Sequence, residues 1–133
     1  MQMVIDASAY VPIVLKGEIP IGLRGYELVG PPLLWAETVS ALREAVYRQV
    51  VSGDLARIGV ERLHRMGVDV VTDDTLGAQA YRIASEIGWA KTYDAEYVAL
   101  ARLLGCRLLT LDARLARAAG RIAEIVTPTE LER

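Results

Sequence analysis

Four acidic residues interrupt apolar stretches of this 133-residue chain, at positions from which a carboxylate could do chemistry. Asp6 and Asp112 each end an apolar run that is typical of a buried strand, "MVI" and "CRLLTL". Glu37 and Asp94 lie near the starts of two helical stretches, "LLWAETVSAL" and "YDAEYVALA". Because a carboxylate is costly to desolvate unless something pairs with it, these positions indicate either helix caps or ligands of a cation.

The predicted order of elements brings the four acids together. In an open α/β sheet, ligands bind outside the carboxyl ends of the strands, so Asp6 and Asp112 are expected at the same edge. Helices that return across the sheet begin at that edge too, and helix N-termini tolerate negative charge. We therefore expect Glu37 and Asp94 to join the two strand-end acids in one pocket.

A pocket of four carboxylates indicates a divalent cation, since the negative charges otherwise repel one another. Oxygen ligands favour Mg²⁺ or Mn²⁺, whereas zinc prefers histidine and cysteine. The chain has one of each, His64 and Cys106, and neither belongs to a ligand pair. An acidic site with one or two such metals suits phosphodiester hydrolysis, because the metals activate a water and neutralise charge on the phosphate oxygens.

Each acid also has a purely structural interpretation. Asp112 and Asp94 are both placed to cap the helices that follow them, and for each of these two the choice stays open. Glu37 is the least specific, because exposed helical glutamates are common, whereas Asp6 ends a buried-looking strand. The other acids considered are interpreted as caps or solvated faces: Asp69, Asp73, Asp74, Glu44 and Glu86.

Short apolar runs predict strands, and longer amphipathic stretches between them predict helices. Strands are predicted at 3–6, 26–30, 68–72, 106–111 and 123–127, and helices in "YVPIVL" and at 33–51, 54–66, 75–87, 93–104 and 112–120. The tail 128–133 is expected to add at most a turn of helix. This alternation predicts an α/β fold with a central, mostly parallel sheet of about four to five short strands, flanked by helices on both faces.

Two helices carry more detailed predictions. Asp73 or Asp74 is expected to N-cap the helix at 75–87. The helix at 33–51 is expected to turn an apolar stripe towards the core: Leu34, Val39, Leu42, Val46 and Val50. Since the chain is 53% hydrophobic, this helix and "YVPIVL" are also candidate partner surfaces, and the choice between core and interface stays open.

Length and composition fit a single domain over residues 1–133. The hydrophobic fraction excludes a disordered chain, and a net charge of −2 excludes binding of nucleic acid by positive charge alone. No apolar run is long enough to span a bilayer, and the N-terminus lacks a signal-peptide pattern. The one cysteine, Cys106, is expected to be a small buried residue. These features predict a cytoplasmic protein.

The order of these motifs resembles that of PIN-domain nucleases, specifically the VapC-type toxins of prokaryotic toxin–antitoxin pairs. The stretches that carry the resemblance are "VIDASAY", "PPLLWAETVSALREAV", "TYDAEYVALARLLGCRLLTLDARLA" and "EIVTP". The resemblance implies a PIN-like fold whose four family acids are Asp6, Glu37, Asp94 and Asp112. It implies that these acids bind Mg²⁺ or Mn²⁺ and that the protein hydrolyses RNA with a metal-activated water, as the toxin of a VapBC-type pair. A homodimer and a cognate antitoxin are implied partners.

Two further residues match the family pattern more weakly, and two tyrosines flank one of the acids. Ser8 and Thr110 are expected to orient carboxylates or a water at the metal, although Ser8 fits equally well as the N-cap of the first helix. Thr110 also fits an ordinary β-branched strand residue. Tyr93 and Tyr97 flank Asp94, where packing in the core or an interface is favoured over contact with bases.

Several other functions are alternatives. A PIN nuclease of RNA processing without toxicity fits the same residues. A receiver-type phosphoacceptor domain would need an acidic pair after the first strand and a strand-end lysine, whereas neither Lys16 nor Lys91 follows a clear strand. A phosphatase of the haloacid-dehalogenase type would need an aspartate at position 8, which is Ser8. A catalytically inactive binding module would have no reason to keep all four acids.

Overall fold

A parallel sheet of five strands forms the centre of the computed structural model, which describes residues 1–126. Its strands lie in the order β3-β2-β1-β4-β5, and every neighbouring pair is parallel. In chain order they are Gln2–Ile5, Glu27–Gly30, Asp69–Val70, Arg107–Leu109 and Ile125–Val126. The central strand β1 is almost completely buried, which explains why its sequence is a continuous apolar run.

Within residues 1–126, six α-helices cover the sheet: α1 (Ala7–Lys16), α2 (Leu33–Tyr47), α3 (Gly53–Arg62), α4 (Leu76–Ile87), α5 (Tyr93–Leu104) and α6 (Ala113–Ala119). Helices α1, α2 and α3 pack against one another, whereas α4 packs on α5, which in turn contacts β1 and β4. Because crossovers between parallel strands are right-handed, the reversal of strand order at β1 places these two groups on opposite faces. The predicted α/β architecture is confirmed.

The apolar stripe predicted for the long helix is only partly correct. Leu34 and Leu42 are buried, but Val39 is 38% exposed and Val50 is 75% exposed. Helix α2 ends at Tyr47, four residues earlier than predicted. The chain turns there because Gln49 adopts a left-handed backbone with φ of 61°, so the residues after it leave the helical path.

The predicted cap of α4 is wrong. Thr75, not Asp73 or Asp74, is the N-cap residue, and its side chain makes no capping hydrogen bond. The Asp73 carboxylate instead accepts hydrogen bonds from the backbone and hydroxyl of Thr75, which stabilises the turn before the helix. Helix α3, predicted at 54–66, occupies Gly53–Arg62 and is capped by Ser52, whose hydroxyl accepts from the Leu55 N–H at 3.1 Å.

The end of α1 depends on a contact with α3. The Arg62 guanidinium donates hydrogen bonds of 3.0 and 2.9 Å to the carbonyls of Val14 and Leu15, which are among the last carbonyls of α1 and lack helical partners. A side chain at Gly17 would lie only 2.6 Å from that guanidinium, and the backbone there is left-handed with φ of 78°. Glycine therefore both permits the turn and leaves room for the arginine.

Of three further sequence predictions, one is not met by the structure and two concern residues outside its described range. Cys106 is half-buried rather than fully buried. The predicted turn of helix at 128–133 and the last residue of the predicted strand 123–127 lie outside the described residues. Among residues 1–126, no helix is long and apolar enough to cross a membrane.

Candidate active site

Asp6 stands where β1 ends, as the N-cap of α1. Its Oδ1 accepts hydrogen bonds from the Ala9 N–H at 3.0 Å and the Ser8 hydroxyl at 2.6 Å. Its Oδ2 accepts a hydrogen bond of 2.5 Å from the Thr110 hydroxyl. The residue is only 5% exposed, so these donors offset the cost of burying its carboxylate. The alternative that Ser8 caps the first helix is therefore wrong, because Asp6 does so.

Ser8 and Thr110 join the two strand-end loops to each other. Besides its bond to Asp6, the Ser8 hydroxyl accepts the Leu111 N–H at 2.9 Å. The Thr110 hydroxyl accepts the Asp112 N–H at 3.0 Å, just beyond the end of β4. Two residues that are more than 100 positions apart thus join the start of α1 to the loop after β4, and Asp6 and Asp112 line the same pocket.

Asp112 is both a helix cap and a residue of the pocket. Its Oδ1 accepts the backbone N–H groups of Arg114 and Leu115, at 2.9 and 3.3 Å, at the start of α6, so the capping interpretation is confirmed. Its Oδ2 makes no hydrogen bond with residues 1–126 and is left for a ligand. The two interpretations of this acid are therefore compatible.

Asp94 lies in the first turn of α5 but does not cap it, because the N-cap residue is Thr92. The capping alternative for this acid is wrong. The Asp94 carboxylate is about half-buried, and no group within the described part of the chain donates a hydrogen bond to it. Among the four predicted acids, this one is the most available to a ligand.

Glu37 enters from α2, and its Oε1 accepts a hydrogen bond of 2.7 Å from the Tyr97 hydroxyl. Tyr97 is only 1% exposed, so its ring packs in the core and cannot stack on a base. The interpretation of Tyr97 as a packing residue is confirmed, with the addition that its hydroxyl reaches the site. Tyr93, which also flanks Asp94, is 55% exposed.

One open pocket of about 250 Å³ contains all four predicted acids. Its lining is strongly polar and consists of Asp6, Ala7, Ser8, Glu37, Ser40, Ala41, Glu44, Asp94, Tyr97 and Asp112. Thr110 lies behind Asp6 rather than on the surface of the pocket. The pocket sits at the carboxyl ends of β1 and β4. The chain continues from β1 to one face of the sheet and from β4 to the opposite face. Such a reversal of strand order is the usual ligand crevice of open α/β sheets.

Three residues of this region were not predicted from the sequence. Ser40 and Glu44 line the pocket, and the charge of Glu96 acts on Glu37. Glu44 is exposed, as its interpretation as a residue of a solvated face predicts, and it also lines the pocket. Residues 37, 40 and 44 are spaced by three and four, which places them on one face of a helix. That spacing was the signal that could have found Ser40 and Glu44.

Burial and mutual repulsion change the proton affinity of the site. Asp6, Glu37 and Asp94 each have a pKa above the usual value, and desolvation by burial is the largest cause for all three. Neighbouring carboxylates raise these pKa values further, and only hydrogen bonds to Asp6 and Glu37 and the Arg114 guanidinium near Asp94 oppose the shift. The pocket therefore favours positive charge, from protons or from a cation.

The donor set fits a hard divalent cation. The acids supply only oxygen ligands, as Mg²⁺ and Mn²⁺ prefer. Asp94 and one oxygen each of Glu37 and Asp112 accept no hydrogen bond from the described residues. Within residues 1–126, however, no three acidic, histidine or cysteine side chains stand close enough together to hold a metal as they are. Coordination by three of them therefore requires side-chain rotation or bridging waters.

Comparison with known proteins identifies the family. Residues 3–121 match the PIN domain, and the chain belongs to the PIN domain family. It is 35% identical over 129 residues to Ribonuclease VapC12 of Mycobacterium tuberculosis, which covers 92% of this chain and 96% of that protein. It is 36% identical over 130 residues to Ribonuclease VapC1 of the same species, covering 93% and 96%. The resemblance to VapC-type PIN proteins is confirmed.

A further VapC ribonuclease and a solved structure are also similar to this chain. The chain is 30% identical over 115 residues to VapC ribonuclease Mb0985 of Mycobacterium bovis, covering 86% of this chain and 88% of that protein. PAE2754 from Pyrobaculum aerophilum has the same fold, with a TM-score of 0.76 and 23% identity over 100% of this chain and 96% of that one. Membership of the PIN family excludes the receiver and phosphatase alternatives.

Proposed function

We propose that this protein is a Mg²⁺- or Mn²⁺-dependent endoribonuclease and the toxin of a VapBC-type pair. The observation that carries the proposal is the convergence of Asp6, Glu37, Asp94 and Asp112 on one polar pocket. They come from four distant segments of a chain that is similar to VapC ribonucleases over more than nine-tenths of its length. A PIN nuclease of RNA processing without toxicity is the second candidate, because it would use the same four acids.

Asp94, Asp112, Asp6 and Glu37 are the residues that would hold the metal. When bound, the metal supplies positive charge against the phosphate and activates a water for attack. Asp6 is held by Ser8 and Thr110 and contributes a fixed negative charge at the base of the pocket. No histidine serves as general base: His64 packs edge-on against Trp35, with ring centroids 4.7 Å apart, and does not line the pocket.

Binding of an RNA phosphate beside so many carboxylates requires positive charge near the pocket. Arg114 is the arginine whose charge acts on Asp94, and its guanidinium forms no salt bridge within residues 1–126. We assign it the role of a phosphate contact at the edge of the pocket. A homodimer and inhibition by a cognate antitoxin belong to the same proposal and rest on the similarity to VapC proteins.

The cleavage proposal is tested with purified protein, RNA, and either Mg²⁺ or EDTA. Asp94→Asn is the preferred variant because Asp94 caps no helix, whereas replacing Asp6 would also disturb its hydrogen bonds with Ser8 and Thr110. Cleavage should require Mg²⁺ and should fall by about 100-fold or more in Asp94→Asn, since a metal ligand supplies several kcal/mol of transition-state stabilisation. Asp54→Asn is the matched control, because Asp54 is 88% exposed and pairs only with Arg57 on the surface. Equal cleavage by the Asp94 variant, or full activity in EDTA, would disprove the proposal.

The toxin part has separate tests. Induced expression should arrest growth, Asp94→Asn should relieve the arrest, and co-expression of a short protein from the neighbouring gene should do the same. Mg²⁺-dependent cleavage without growth arrest would favour the nuclease of RNA processing instead. The oligomeric state is measured by light scattering, where a stable monomer at micromolar concentration would contradict the homodimer.

A further inference from the structure

The hydroxyl of Tyr97 on α5 donates a hydrogen bond to the carboxylate of Glu37 on α2, a helix of the opposite face of the sheet. The hydrogen bond to Oε1 is 2.7 Å long and joins residues 60 positions apart, on α5 and α2. Within residues 1–126 no other group donates to this carboxylate. The tyrosine ring is fixed by the core, whereas a glutamate side chain rotates about three bonds. The buried Tyr97 ring therefore restricts the direction in which the Glu37 carboxylate points.

Helix α5 contributes two different groups to the same pocket. Asp94 and Tyr97 are three residues apart and so lie on one face of the helix, and both line the pocket. Asp94 offers a carboxylate that accepts no hydrogen bond from residues 1–126, and Tyr97 offers a donor to the carboxylate of Glu37. The position of α5 relative to α2 thus sets the position of Glu37 relative to Asp94.

Glu37 needs such a restraint because its surroundings repel it. Asp94, Asp6 and Glu96 all place negative charge near its carboxylate, and an unrestrained glutamate would reduce this repulsion by turning towards solvent. The hydrogen bond from Tyr97 opposes that movement. It engages Oε1 only, so Oε2 remains available inside the pocket.

We propose that Tyr97 is a positioning residue, which holds Glu37 in the pocket so that its second oxygen reaches the divalent metal. The inference rests on the proposed function for the presence of the metal and the RNA. Tyr97 acts through Glu37 and not on the substrate, because its ring is buried. Loss of the hydroxyl should therefore weaken metal binding and turnover while leaving contact with the rest of the RNA unchanged.

The test is a double-mutant cycle with metal affinity as its first readout. Tyr97→Phe, Glu37→Ala and the double variant are titrated with Mn²⁺ and followed by electron paramagnetic resonance. Tyr97→Phe should weaken Mn²⁺ binding about tenfold, as is typical when a group that orients a metal ligand is removed. In the Glu37→Ala background the same change should have no further effect. Cleavage kinetics should show a lower kcat with an unchanged KM for RNA.

Tyr93→Phe is the matched control, since Tyr93 lies on the same helix beside Asp94 but is exposed. It should leave Mn²⁺ affinity and kcat unchanged. Two results would overturn the inference: wild-type Mn²⁺ affinity in Tyr97→Phe, or an equal loss with and without Glu37. If the first result came with a lower Tm, Tyr97 would have a packing role alone. If the wild type neither binds Mn²⁺ nor cleaves RNA, the proposed function fails and the inference with it.

Discussion

At the scale of single residues, the site depends on short polar side chains that support the acids. The buried carboxylate of Asp6 has donors on both oxygens, from Ser8, Ala9 and Thr110. Each donor offsets part of the desolvation cost, and each also fixes the direction in which the carboxylate points. Asp94 has no such donor in the part of the chain that the structure describes. The pocket therefore combines one acid held by several hydrogen bonds with another that is left open to a ligand.

Thr110→Val tests the support of Asp6, because valine keeps the shape of the side chain and removes the hydroxyl. One oxygen of a buried carboxylate then loses its donor, and the free energy of unfolding should fall by about 1–3 kcal/mol. Urea denaturation measures the change. Thr72→Val is the control, since Thr72 is exposed, and it should change stability by less than about 0.5 kcal/mol. Equal effects of the two substitutions would mean that the bond between Thr110 and Asp6 contributes nothing to stability.

At the scale of elements, helix termini organise this molecule. Asp6 caps α1 and Asp112 caps α6, so two of the four site acids also begin helices. The opposite end of α1 is closed by Arg62 of α3, which donates to the last turn. Because Asp6 stands at the start of α1 and Arg62 of α3 binds the carbonyls at its end, α3 contributes to the placement of the site without lining the pocket.

Arg62→Met tests this closure, because methionine retains an apolar stem but donates no hydrogen bonds. The carbonyls of Val14 and Leu15 would lose a charged donor in a partly buried place, so the free energy of unfolding should fall by about 1.5–3 kcal/mol. Thermal and urea unfolding measure the effect. Arg57→Met is the control on the same helix, since Arg57 makes only an exposed pair with Asp54 and should change stability by less than about 1 kcal/mol. If Arg62→Met left the free energy of unfolding unchanged, the end of α1 would be stable without the contact from α3.

At the scale of the whole molecule, the acidic pocket lowers stability in the absence of a cation. Burial and repulsion raise the pKa of Asp6, Glu37 and Asp94 in the folded protein. A carboxyl whose pKa is higher in the folded than in the unfolded state stabilises the fold only while it is protonated. Its contribution is complete below the unfolded pKa, about 4, and is lost as the pH rises through the higher folded value. A bound cation would remove the same repulsion.

We therefore expect the Tm of the metal-free protein to be higher at pH 5 than at pH 7.5. Mg²⁺ should raise the Tm more at pH 7.5 than at pH 5, because a larger fraction of the acids is ionised at the higher pH. In Asp94→Asn both the loss of stability with pH and the effect of Mg²⁺ should be smaller, because one of the repelling charges is gone. Thermal unfolding in EDTA and in Mg²⁺ provides the measurement. A Tm of the metal-free protein that rises with pH would contradict this account of the pocket.

The sequence by itself determined the elements and the four acids. Apolar runs and amphipathic stretches placed the strands and helices close to their observed bounds, because local periodicity reflects which side chains face the core. The order of strands and helices then brought Asp6, Glu37, Asp94 and Asp112 to one edge. The local details were less predictable: the left-handed turn at Gln49 and the cap at Thr75 depend on backbone geometry that many residues can adopt.

The tertiary structure alone decided how the acids are held. The bonds from Thr110 to Asp6 and from Tyr97 to Glu37 span 104 and 60 positions, and no local pattern encodes them. They exist because β1 pairs with β4 and because α2 and α5 meet at one pocket. A hydrogen bond depends on tenths of an ångström between its two atoms, whereas periodicity reports only which face of an element is buried. The residues of the site were therefore readable from the chain, and their supporting contacts required the fold.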